Sequence, residues 1–133
     1  MLKITPIESK EKQKEYSDFC GSEYLDECMA YAIVSEDELI GILNFKISGK
    51  CGYIVKTALK KDCSDIEALD TALRATFNFL DKCGIDEVIY NPVNVYDLPL
   101  AEALGFKKNE NGDYILNIKQ FFSFPCKGSA KKQ

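Results

Sequence analysis

The sequence predicts an α+β fold, a mixed central sheet flanked by helices, on three observations. A long amphipathic helix lies mid-chain, apolar runs of strand length precede it, and a short run of β-formers follows it after a glycine. Strand, helix and strand in succession imply a crossover onto a neighbouring parallel strand. The tight turns between the earlier runs imply antiparallel pairing. At 133 residues the chain suffices for one domain with a real core. Residues 1–120 read as that domain and 121–133 as a C-terminal tail.

Leu2, Ile4 and Ile7 suggest a short first strand, and Glu8 to Phe19 a charged surface helix anchored by Tyr16 and Phe19 and ending near Gly21. Met29 to Val34 reads as a strand, and Ser35-Glu36-Asp37-Glu38 as the tight connection of a hairpin returning on Leu39 to Ile47. Ile40-Gly41-Ile42-Leu43 is apolar on both faces, as a central strand requires. Gly49 and Gly52 bracket the next turn, and Tyr53 to Leu59 is the third antiparallel strand. In the long helix Ile66, Leu69, Leu73, Phe77 and Leu80 form one apolar stripe, with Glu67, Thr71, Arg74, Asn78 and Lys82 opposite. Ser64 and Glu67 have the spacing of a capping box, and Gly84 supplies the left-handed residue that ends the helix. Glu87 to Tyr90 is the strand that follows. Asn111-Gly112 predicts a type I′ hairpin turn leading into Tyr114 to Ile118.

Composition narrows the function. The 46% apolar and 29% charged content is that of an ordinary globule, and no stretch is long and apolar enough to span a membrane. A net charge of −4 argues against nucleic acid as the main partner. Arg74 is the sole arginine, which excludes multi-arginine anion clamps. The chain has no histidine, so the commonest general base and metal ligand are both missing. Six cysteines without a Cys-x-x-Cys pair read as mostly buried thiols, and no metal site is expected. Without an apolar leader at Met1 to Pro6, a cytoplasmic location is expected.

After the Glu87 to Tyr90 strand, a short helical turn closing on Leu104-Gly105-Phe106 is preceded by Asn94 and carries Leu100-Ala101. This resembles the pattern of the GNAT (GCN5-related N-acetyltransferase) family: Asn, five residues, Leu-Tyr, two residues, Leu-Gly-Phe. Gly84 and Ile40-Gly41 also stand where that family commonly has them, and the likeness covers roughly residues 29 to 118. The resemblance implies a GNAT-like fold and transfer from acetyl-CoA or another acyl-CoA to a small-molecule or peptide amine. It also implies two parallel strands that splay to admit the pantetheine arm, with Thr57, Ala58, Leu59 and Asn94 beside it and Ser64, Asp65 and Ile66 at the diphosphate.

Three departures accompany the likeness. The family tyrosine that protonates the departing thiolate falls on Ala101, which leaves Tyr96, Tyr90 and Cys126 as candidates for that role. The glycines of the family's diphosphate loop fall near Ser64, Glu67 and Leu69, and Asp62, Asp65 and Glu67 crowd the same helix start, so weak or absent coenzyme A binding is expected. The inner strands offer Asn44, Lys46, Lys56 and Thr57 but no carboxylate to act as base. Tyr53, Tyr90, Asn91 and Tyr96 either line a cleft or pack with satisfied hydroxyls. Phe121 to Cys126 either covers a core edge or dimer surface, with Phe79 against it, or brings the Cys126 thiol to the acceptor cleft. Three readings stay open: an acyltransferase, a GNAT-like binding or self-associating module without transfer, and an unrelated α+β protein.

Overall fold

Seven strands in the order β1-β2-β3-β4-β5-β7-β6 form one mixed sheet in the computed structural model, which describes residues 1–123. The elements are β1 (Leu2–Pro6), α1 (Lys10–Phe19), β2 (Met29–Ser35), β3 (Glu38–Ser48), β4 (Cys51–Leu59), α2 (Ile66–Lys82), β5 (Glu87–Tyr90), α3 (Asp97–Leu104), β6 (Lys107–Lys108), β7 (Tyr114–Asn117) and α4 (Ile118–Ser123). Strands β1 to β4 form an antiparallel meander, α2 crosses over so that β5 pairs parallel with β4, and β7 returns antiparallel. This is the predicted mixed sheet.

The β2–β3 hairpin turns on Glu36 (φ 52) and Asp37 (φ 63), the two positive φ angles of a two-residue turn. Two turn expectations are corrected. Gly52 lies inside β4, where a Cβ would stand 2.8 Å from Leu80 Cδ1; it admits α2 close to the sheet and turns nothing. At Asn111-Gly112 only Gly112 has positive φ (86), so the turn is not type I′. Asn109 Oδ1 accepts from the N–H groups of Asn111 and Asp113, and Gly112 N–H donates to the Asn109 carbonyl, giving a three-residue loop closed by a left-handed glycine.

Helix α2 buries Leu69, Leu73, Phe77 and Leu80 completely, with Ile66 half-buried and Ala68, Ala72 and Thr76 filling one flank of the stripe. Its start differs from the expected capping box. Asp65, not Ser64, is the N-cap, and its carboxylate accepts from Ala68 N–H at 3.0 Å. Ser64 instead offers its carbonyl to Ile66 N–H at 2.9 Å, in a loop where Asp62 holds positive φ. Gly84 N–H donates to the Asp81 carbonyl and Ile85 N–H to the Leu80 carbonyl, the paired bonds of a Schellman end. Gly105 (φ 105) ends α3 in the same way and turns Phe106 into the core.

The main core lies between α2 and the sheet, and a smaller one of Ile7, Cys20, Ala30, Ala32 and Ile42 lies on the α1 face. On α1, Tyr16 packs against the small core, whereas Phe19 is 56% exposed and anchors nothing; Gln13 and Ser17 are the residues that α1 buries. Phe121 of α4 stacks edge-on against Phe77, with the Arg74 guanidinium over its ring. Phe79 packs edge-on against Phe45. Of the five described cysteines only Cys20 and Cys28 are buried, fewer than expected, and burial pushes the Cys20 thiol up to about 11. Cys126 lies outside the described residues.

Candidate functional site

The two parallel strands run together for only four residues, from Cys51↔Glu87 to Ile54↔Tyr90. Opposite β3, Asn44 pairs with Lys56 and Phe45 with Ile54, so Val55 is the extra residue of a bulge in β4. A bulge bends and over-twists its strand. Here it falls where β5 ends, and β4 continues to Leu59 paired with β3 only. The strands therefore part at their C-terminal ends.

The segment after β5 reaches back across the gap. Asn91 N–H donates to the Ile54 carbonyl and its Nδ2 to that of Val55, while Asn94 Nδ2 donates to the Thr57 carbonyl at 2.8 Å. At the base of the gap lies Asp97, the first residue of α3, with no exposed surface. Its Oδ1 accepts from Thr57 Oγ1 (2.8 Å) and Tyr90 Oη (2.6 Å). Its Oδ2 accepts from the N–H groups of Val93 and Asn94 and from Asn94 Nδ2. Five donors on one carboxylate meet the condition under which a buried charge is tolerated.

The two tyrosines differ in availability. Burial, then the bond to Asp97, drives the Tyr90 hydroxyl far above the ordinary tyrosine range, and its proton is committed to that carboxylate. Tyr96 is half-buried at the mouth of the gap; burial raises its hydroxyl too, while Thr57 and the Leu59 backbone pull the other way. Thr57 is buried beneath it, and Leu59 and Asn94 flank it half-exposed. Ala58 faces the opposite side of the sheet, in the small core. Ser64 and Asp65 are exposed at the start of α2, and Ile66 packs onto the main core. Asp97 was missed by sequence reasoning, because an acid at a helix start reads as a partner of the helix dipole.

Neither a family model nor a curated protein matches the sequence. Solved structures do match in shape. A PaiA N-acetyltransferase from Thermoplasma acidophilum, in complex with coenzyme A, superposes with a TM-score of 0.67 at 16% identity, over 86% of this chain and 96% of its own. An IAA acetyltransferase from Bacillus cereus gives 0.69 at 18% identity, over 83% and 79%. An acetyltransferase of the GNAT family from Staphylococcus aureus gives 0.67 at 10% identity, over 89% and 99%. The chain has the GNAT fold. At these identities the likeness is one of fold.

At the start of α2 the residues present do not fit a diphosphate. The Ala68 amide is taken by Asp65 and the Ile66 amide by Ser64, Leu69 is wholly buried, and Glu67 is exposed beside them. Lys60 is already paired with Glu38 at 2.7 Å, which leaves Lys61, exposed in the turn before α2 and in no ion pair among the described residues. Ala101, at the GNAT tyrosine position, is buried in the main core with no exposed surface. Among the described residues no cluster of His, Cys, Asp or Glu is arranged to hold a metal ion, and no helix is long and apolar enough to cross a membrane.

Proposed function

We propose that this protein is a GNAT-type N-acyltransferase that takes its acyl group from a pantetheine thioester, acetyl-CoA or another acyl-CoA, and passes it to a small-molecule or peptide amine. The observation that carries this reading is the parting of β4 and β5, bridged at its base by Asp97, with Tyr96 beside Thr57 and Leu59 at its edge. Such a donor brings an activated acyl carbon and a thiol leaving group. In an antiparallel strand alternate residues turn their N–H and C=O groups away from the partner. Thr57, whose carbonyl accepts from Asn94, is one that turns toward the gap, and Leu59 shares its orientation. Their backbone groups would hold the pantetheine amides, and Tyr96 Oη would hold the proton for the departing sulfur. Because burial raises Tyr96, it stays protonated at neutral pH, as a proton donor must. The five described cysteines are free thiols, which suits a cytoplasmic setting.

One observation favours the second reading, a GNAT fold without transfer: the anion site of α2 is filled by Asp65 of the chain itself. Thiol release from acetyl-CoA, measured with and without a panel of primary amines, separates the two. Amine-dependent release that falls roughly a hundredfold in Tyr96→Phe supports the transferase. The absence of amine-dependent release across the panel supports the binding module.

A further inference from the structure

Two lysines on the inner strands bear on the acceptor. Ile42 belongs to the small core on the α1 face, so Asn44 and Lys46, two and four residues on along β3, lie on that face as well. Lys56 of β4 is directly opposite Asn44, and Tyr53 directly opposite Lys46, whose Nζ stands 5.9 Å from the centre of the tyrosine ring. Lys46, Asn44 and Lys56 are thus neighbours on one face. Both lysines are half-buried, and among the described residues neither has a carboxylate within ion-pair distance. Glu87 and Asp113 lie toward the Cys51–Tyr53 end of the sheet. Asn44 is 1% exposed and its Oδ1 has no partner.

This arrangement works against the chain's own stability. Like charges on adjacent strands repel, and half-burial removes part of their hydration. Of the 21 acidic residues, Glu27 and Asp113 act on groups beside Lys46, but among the described residues none stands within ion-pair distance of either lysine. Lys56 also adjoins both Val55, the bulged residue, and Thr57 at the gap. Lys56 therefore borders the point where the strands part, on the face opposite α2, and Lys46 stands diagonally across from it on β3, alongside the still-paired stretch.

We propose that the acceptor amine carries a carboxylate, which seats between Lys46 and Lys56 while the amine reaches the gap. The inference rests on the transferase reading and names its acceptor class, an amino carboxylate. Each lysine contributes a charge-assisted hydrogen bond that a neutral amine cannot use.

The test compares matched acceptors with acetyl-CoA as donor: 4-aminobutyrate against butylamine, and the C-terminally amidated peptide Asp-Gly-Ala-NH2 against Asn-Gly-Ala-NH2. The expected result is a preference of roughly tenfold or more in kcat/KM for the anionic member of a pair, shrinking as salt is raised. The first pair winning alone assigns a free amino carboxylate, and the second alone an acidic peptide. In Lys46→Met/Lys56→Met the preference should disappear, with the thermal midpoint showing that the variant folds. Equal use of both members, or a preference that survives in the double variant, overturns the proposal. If no amine is acylated, the transferase reading fails separately, and binding still decides this inference. 4-Acetamidobutyrate should then shift the amide signals of Lys46 and Lys56 in an NMR titration, and N-butylacetamide should not; equal shifts, or none from either, overturn it.

Discussion

Asp97 shows how a residue can organise a site without announcing itself in the sequence. Its main partner on β4, Thr57, is 40 positions away, and only the fold brings them together. Tyr90 and Asn94 were legible as candidates because each ends or follows a recognisable element, but the carboxylate that joins them was not. Tyr90→Phe removes one bond to that buried charge and should destabilise the protein by about 1.5–3 kcal/mol in denaturant melts. A loss below about 0.5 kcal/mol would show that the bond is not needed. The same tyrosine sets a pH dependence. Its folded pKa is raised above the unfolded value, so its contribution is complete below about pH 10 and lost as pH rises further. The thermal midpoint should hold steady at neutral pH and fall in strong alkali, and the alkaline fall should be smaller in Tyr90→Phe.

At the scale of elements, the stripe of α2 was readable because helical periodicity is local: Leu69, Leu73, Phe77 and Leu80 are buried as expected, while Ile66 is only half-buried. Phe77 touches both Phe106 and Phe121, so Phe77→Ala should cost about 3–5 kcal/mol, and a measured loss under about 1 kcal/mol would place it outside the core. The cap was displaced by one residue for a physical reason: Ser64 and Asp65 are both good N-caps, and the backbone of the preceding turn chooses between them. Asp65→Ala should cost about 1 kcal/mol of helix stability, whereas Ser64→Ala should cost little, a pair of melts that distinguishes the two caps. Gly52 was misread as a turn because glycine signals equally a bend and a close approach. Its contact with Leu80 depends on two elements meeting, which no local pattern records.

For the whole molecule, the antiparallel meander and the crossover followed from the order of elements, because chain connectivity limits a strand–helix–strand unit to few arrangements; the insertion of β7 between β5 and β6 did not. The site was legible only in outline. The gap depends on a bulge at Val55, and that comes from the mismatch of β3 and β4 registers, not from any residue type at the position. The central claim is that this gap receives a pantetheine thioester while the start of α2 adds little for the nucleotide. Calorimetric titration with acetyl-CoA and with S-acetylpantetheine tests it most directly. Both should bind more weakly than micromolar and within roughly tenfold of each other, a difference of about 1.4 kcal/mol. Micromolar binding of acetyl-CoA alone would contradict it by showing that the α2 start holds the diphosphate after all, and heat from neither compound would show that the gap is not a thioester site.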